Sequence, residues 1–108
     1  QMRLQESGGG LRAAGESVTL SCRMSKSTFE GYSTRWYRQA PGGSPEWVSL
    51  ISYSGSVKKY GAAVEGRATA SRDSFQSQSS LFLWALHPSD PARYFCAVHT
   101  ETGNPAEL

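Results

Sequence analysis

The sequence predicts an all-β fold of two antiparallel sheets packed face to face. Apolar and polar residues alternate with a period of two along most of the chain, and turn signals recur at the spacing of a β-sandwich. Hydrophobic residues make up 38% of the 108 positions, and no long apolar run interrupts them. We therefore expect one soluble domain over residues 1–108, without a membrane span or a signal peptide.

The first elements follow from this alternation. Leu4 and Leu11 flank three glycines, which would let the first strand cross from one sheet to the other. A half-buried strand is expected next, and its apolar face comprises Val18, Leu20, Cys22 and Met24.

The later elements are predicted in the same way. Thr34, Trp36 and Arg38 should share one face of a strand, and a turn at 40–43 then reverses the chain toward 46–48. Glu46 could therefore pair with Arg38. Near the end of the chain Leu81, Leu83 and Leu86 should point inward, which leaves Phe82 and Trp84 on the opposite face. We expect these two aromatic rings to be partly covered by neighbouring side chains, rather than to contact another domain or chain.

Several segments resemble the variable domain of an antibody heavy chain. Trp36 lies fourteen positions after Cys22, and Tyr94 lies two positions before Cys96. The other matching segments are QESGGGL at 5–11, WYRQAPG at 36–42, EWVS at 46–49 and GRATASRD at 66–73. The resemblance runs from residue 1 to about 98. Within this family, YGAAVEGRAT at 60–69 resembles avian heavy-chain segments, whereas LHPSDPARYFCAV at 86–98 looks more like a T-cell receptor alpha or delta segment. A heavy-chain-like variable domain of a T-cell receptor delta chain would combine both.

The resemblance implies roles for several framework residues. Cys22 and Cys96 would form the bridge between the sheets, with the Trp36 indole against the sulfurs; two free core thiols are the alternative. Tyr94 would bond back to upstream backbone as a tyrosine corner, and Arg67 would pair with Asp90 at the base of the sandwich. We assign these residues to stability, not to binding.

The resemblance also implies three binding loops, at about 26–35, 52–59 and 98–104. Tyrosines there would offer rigid amphipathic surface and serines adaptable hydrogen bonds, although both are also ordinary loop residues. Phe29 should instead plug the top of the core. The predicted antigen-binding residues are Glu30, Gly31, Tyr32, Ser33, Arg35, Ser52, Tyr53, Ser54, Ser56, Lys58, His99, Thr100, Glu101 and Thr102.

A second predicted surface is the outer face of one sheet, where heavy-chain domains pack side by side against a partner variable domain. An apolar patch is expected on this face in a free monomer. Its residues are Tyr37, Gln39, Pro45, Trp47 and Phe95. A solitary domain, with its third loop folded over the patch, remains the alternative.

Two features depart from the family pattern. Ala68, Ala70 and Ser79 stand where heavy-chain domains bury larger side chains, so we expect Phe29 or Phe75 to turn inward and fill the space. The chain also lacks the aromatic-Gly-x-Gly segment that begins the last strand. We therefore expect that strand to be incomplete, which leaves an unpaired edge or one covered by another chain.

Other chemistry is not expected. His87 and His99 should lie at opposite ends of the sandwich, so neither catalysis nor a metal site is predicted, and no cofactor is implied. A net charge of +2 is too small to predict nucleic-acid binding, and no membrane contact by this domain is expected. Two hypotheses remain: an extracellular antigen receptor domain that binds a protein antigen or antigen-presenting ligand, or a germline-fixed adhesion or co-receptor domain that binds through a sheet face.

Overall fold

The structure, a computed structural model, describes residues 3–6, 16–86 and 93–100, with the backbone alone at 3–6, 99 and 100. These ranges contain eight strands and one short helix. In chain order they are β1 Arg3–Glu6, β2 Val18–Arg23, α1 Lys26–Gly31, β3 Tyr32–Gln39, β4 Glu46–Ile51, β5 Lys58–Tyr60, β6 Ala68–Asp73, β7 Gln78–Leu83 and β8 Arg93–Thr100.

The strands form two antiparallel sheets, as the alternation predicts. One sheet has the order β1-β8-β3-β4-β5, and the other has the order β2-β7-β6. Every neighbouring pair is antiparallel. The all-β sandwich is therefore confirmed.

The core lies between the sheets and contains the bridge. Cys22 on β2 is bonded to Cys96 on β8, and their Cα atoms are 6.4 Å apart. Trp36 is fully buried in the same cluster of side chains. The alternation is also confirmed on β2 and β7, since their predicted inward residues are buried whereas Phe82 is exposed. The disulfide thus joins the two sheets through the packed interior.

The Arg38–Glu46 ion pair and one inward aromatic ring agree with the sequence-based expectations. The Arg38 guanidinium donates to the Glu46 carboxylate at 2.7 Å, as predicted. Phe29 is buried, whereas Phe75 is 99% exposed, so the inward aromatic ring is Phe29. Near the small residues of β6, the Tyr60 hydroxyl accepts a bond from the backbone N–H of Ala70 at 2.9 Å.

The expectation of a loop over 26–35 is wrong in part. Residues Lys26–Gly31 form α1, and β3 already begins at Tyr32. The Ser25 hydroxyl caps the helix by accepting from the Thr28 N–H at 3.2 Å. A serine N-cap and an inward Phe29 stabilise a short helix that a period-two pattern does not reveal.

The expectation of an open edge beside β8 is also wrong over part of its length. β1 pairs antiparallel with residues Phe95 to Val98, so its backbone groups satisfy those of β8. The glycine crossing, Leu11, Asp90, His87 and the segment after Thr100 lie outside the described residues. Arg67 donates to the backbone oxygens of Ala63 and Ala85.

Candidate functional site

Strand register brings the three predicted binding segments to one end of the five-stranded sheet. Tyr32 begins β3 opposite Thr100, and Ser33 lies opposite His99. The hairpin of β4 and β5 ends at the same level, because Thr34 pairs with Ile51. α1 ends at Gly31, directly before Tyr32, so it lies at this same end of the sheet.

α1 is attached to the sandwich by two contacts on β6. The Arg72 guanidinium lies over the Phe29 ring, 3.7 Å from its centroid, and also donates to the Phe29 carbonyl oxygen. Phe29 is itself buried. This anchor leaves Glu30 and Gly31 exposed at the end of the helix.

The second loop is organised by its own serines. The Ser52 N–H donates to the Val57 carbonyl at 2.9 Å, and the Val57 N–H donates to the Ser52 hydroxyl at 3.1 Å. Gly55 has a φ of 81°, and its N–H donates to the Ser52 carbonyl. The hydroxyls of Ser54 and Ser56 are 2.8 Å apart. These bonds fix the loop and leave the Tyr53 side chain 48% exposed.

The predicted binding residues are not equally accessible. Ser33 and Ser52 are buried, with 5% and 8% exposure, so the expectation that their side chains face a ligand is wrong. Ser33 is on β3, and Ser52 is used inside its own loop. Tyr32 and Arg35 are half-buried. The exposed members of the set are Glu30, Gly31, Tyr53, Ser54, Ser56 and Lys58. The backbones of His99 and Thr100 belong to β8, and Glu101 and Thr102 are outside the described residues.

An open cleft of about 270 Å³ lies on the outer face of the five-stranded sheet. Arg35, Trp47, Leu50 and Lys59 line it. Register explains the arrangement, because Leu50 is paired with Arg35 on one side and with Lys59 on the other. Residues directly opposite each other in a sheet project to the same face.

The predicted partner surface is less apolar than expected. The rings of Tyr37 and Phe95 stack with centroids 5.6 Å apart, and the Arg93 guanidinium lies 4.8 Å from the centre of the Phe95 ring. Phe95 is only 5% exposed, so its assignment to an open apolar patch is wrong. Gln39 donates to the Gly43 carbonyl oxygen at 2.8 Å. Pro45 is exposed, and Trp47 is 37% exposed.

This architecture agrees with a comparison against protein families. Residues 10–107 match the model of the immunoglobulin V-set domain. The chain belongs to the immunoglobulin V-set family. V-set domains are generally binding modules without enzymatic activity, and they typically lie outside the cell. Their usual partners are protein ligands or other immunoglobulin domains.

Two further observations bear on the chemistry of this V-set domain. In the described ranges, no group of three His, Cys, Asp or Glu side chains is placed to hold a metal ion. The same residues contain no helix of the length and apolar character needed to cross a membrane.

Sequence reasoning did not identify Leu50, which lines the cleft of this V-set domain, and it included Lys59 only as the last residue of the second loop at 52–59. The alternation of inward and outward residues along β4 could have identified Leu50 as outward-facing. Ser49 and Ile51 are buried, so Leu50 must face outward, and β5 places Lys59 directly opposite it. Lys58, which was predicted instead, pairs with the inward Ile51 and therefore projects to the other face of its strand.

Proposed function

We propose that this chain is the antigen-recognition variable domain of an adaptive immune receptor. It would be a heavy-chain-like domain of an antibody or of a T-cell receptor delta chain, secreted or part of a cell-surface ectodomain. Its ligand would be a protein antigen or an antigen-presenting protein. The proposal rests above all on the exposed Tyr53, Ser54 and Ser56, which share one end of the sheet with α1 and the end of β8.

The exposed Tyr53 and the internal hydrogen bonds of residues 52–57 support a role in recognition. A tyrosine supplies a large contact area with few rotatable bonds, so holding it against a ligand costs little side-chain entropy. The hydrogen bonds within 52–57 order the loop before any ligand arrives, which lowers the cost of binding further. An exposed ring on an ordered loop is therefore suited to anchor a protein contact.

The decisive experiment is to sequence transcripts from the locus that encodes this chain. A rearranging receptor predicts variation concentrated after Cys96, since the third loop would be assembled anew in each cell. An invariant sequence there would contradict the proposal and favour a germline-fixed adhesion or co-receptor domain.

A binding experiment also distinguishes the two hypotheses, because the receptor would bind through its loops and the adhesion or co-receptor domain through a sheet face. The domain is screened against an array of extracellular proteins, and each hit is measured again with Tyr53→Ala and with Phe82→Ala. Phe82 is 40% exposed on the outer face of the three-stranded sheet, so it is a matched aromatic control. Loss of binding with Tyr53→Ala alone supports the receptor. Loss with Phe82→Ala alone would overturn it.

Pairing with a second variable domain is the second part of the proposal. Exposed Trp47 and Pro45 on the outer face of the five-stranded sheet support such pairing. An autonomous domain is the competing hypothesis, because Phe95 is covered by Tyr37 and Arg93 within the chain, and Gln39 bonds to Gly43. Sedimentation should detect weak self-association that Trp47→Ser abolishes. A clean monomer at high concentration would favour the autonomous domain.

A further inference from the structure

The cleft on the outer face contains two positive charges in one cross-strand row. Arg35 is on β3, Leu50 on β4 and Lys59 on β5, and each pair of neighbours is in direct register. Adjacent strands are about 4.8 Å apart, so the backbones of Arg35 and Lys59 are separated by roughly 10 Å. Trp47 completes the lining. Leu50 and Trp47 thus supply the apolar part of the lining, and Arg35 and Lys59 supply the two positive charges.

These charges have no anion beside them among the described residues. The Glu46 carboxylate pairs with Arg38, and Glu46 is not among the residues that line the cleft. The Nε atom of Arg35 is buried and has no hydrogen-bond partner there. A buried donor without a partner is unfavourable. The two cationic side chains line the same cleft and repel each other, and an anion that enters the cleft would relieve that repulsion.

The geometry points to a carboxylate ligand, and we infer that this cleft is a carboxylate-binding subsite. The planar guanidinium of Arg35 matches a carboxylate, and Lys59 adds a second, flexible donor. Trp47 and Leu50 would contact the carbon atoms that carry the carboxylate. A phosphate fits less well, because inorganic phosphate has no carbon atoms that could contact Trp47 and Leu50. It also needs more hydrogen-bond donors for its additional oxygens.

The size of the cleft limits what the ligand can be. Its volume of about 270 Å³ is slightly below the usual range of small-molecule pockets, which begins at about 300 Å³. It therefore suits one acidic side chain of a protein, or one small aromatic carboxylate, rather than a large molecule. The inference rests on the proposed recognition function for the origin of the ligand, but the chemistry of the cleft can be measured on the isolated chain.

The experiment is a titration of the ¹⁵N-labelled chain followed by NMR of the Arg35 Nε–Hε and Trp47 indole signals. The probes are benzoate, its neutral analogue benzamide, an acetylated and amidated Gly-Glu-Gly peptide, and the matching Gly-Gln-Gly peptide. We expect saturable shifts with benzoate and with the glutamate peptide, and none with the two neutral probes. Tighter binding of benzoate identifies a small carboxylate as the better ligand, and tighter binding of the peptide identifies an acidic side chain.

The variants test which cation is responsible. Lys59→Gln should weaken binding about tenfold, the value of one charge-assisted hydrogen bond. Lys58→Gln removes the same charge from the neighbouring residue, which projects to the other face, and it should change binding less than twofold. Arg35→Gln should abolish binding, and the Lys59 variant keeps the test valid if the Arg35 variant does not fold.

Several results would overturn the inference. These are the absence of saturable shifts with both acidic probes, equal shifts with benzamide, equal effects of Lys58→Gln and Lys59→Gln, or tighter binding of inorganic phosphate than of benzoate. Invariant transcripts would instead defeat the receptor proposal and leave the measured carboxylate binding in place. The two failures are therefore distinguishable.

Discussion

At the scale of single residues, a polar contact explains an unusual choice in the core. Ser79 stands where the family buries a larger apolar side chain, yet it is fully buried. Its hydroxyl is 2.9 Å from the Thr34 hydroxyl, and the two residues belong to opposite sheets. Sequence reasoning expected an aromatic ring to fill the space beside Ser79, because the polar partner Thr34 is distant in the chain. The pair links the sheets by a hydrogen bond in addition to packing.

Removing one hydroxyl of this pair should cost more than removing both. Thr34→Val keeps the shape of the side chain but leaves the buried Ser79 hydroxyl without its partner, which should lower the free energy of unfolding by about 1–3 kcal/mol. Adding Ser79→Ala should then recover part of that loss, because no unpaired hydroxyl is left. Urea unfolding of both single variants and the double variant measures this. Additive losses would contradict the coupling.

Gly61 is a second residue whose role depends on a close approach. A Cβ atom at this position would lie 2.9 Å from the Trp47 carbonyl oxygen and 3.3 Å from its ring. Gly61→Ala should therefore destabilise the domain by about 1–3 kcal/mol, because backbone atoms must move. Gly31 has nothing within 4 Å of such an atom, so Gly31→Ala is a matched control and should be neutral or slightly stabilising. Similar melting temperatures for the two variants would refute this explanation.

At the scale of elements, α1 shows what a period-two pattern cannot predict. The apolar position was identified, since Phe29 was expected to plug the core, but the turn of helix around it was not. Six residues are too few to show helical periodicity, and the element depends on a cap at Ser25 and on Arg72 from β6. The helix is therefore stabilised mainly by contacts that are distant in the sequence.

Replacing that arginine should loosen α1. Arg72→Lys keeps the charge but loses the flat stacking on Phe29 and the bond to its carbonyl, so we expect a loss of about 1–2 kcal/mol. Hydrogen exchange of the Thr28 and Phe29 amides should report it as faster exchange in α1. Arg23→Lys is the control, because the exposed Arg23 donates only to Gln76 among the described contacts, and its effect should stay within about 0.5 kcal/mol. Unchanged exchange in the Arg72 variant would argue against the anchor.

At the scale of the whole molecule, alternation and turns predict most of the sandwich. They predict the buried faces of β2 and β7 and the Arg38–Glu46 pair, because these depend on neighbours along the strand or across one turn. They do not predict that β1 covers part of the β8 edge, since that pairing joins the two ends of the sequence. The carboxylate cleft can be predicted only in part. Alternation predicts that its residues face outward, but the register of β3, β4 and β5 is needed to show that they lie together.

The bridge between the sheets is expected to contribute a large share of the stability. Cys22 and Cys96 are separated by 74 residues, so closing that loop restricts the unfolded chain and contributes roughly 4.5 kcal/mol on chain-entropy grounds. Domains of this size are stable by only about 5–15 kcal/mol. Thermal unfolding should therefore shift to much lower temperature when a reductant is added. The chain has two cysteines, so Cys22→Ala combined with Cys96→Ala provides the control: it should melt near the reduced protein and no longer respond to reductant. If thiol titration shows full reduction while the melting temperature of the unmodified chain is unchanged, the sheets are held together by packing alone.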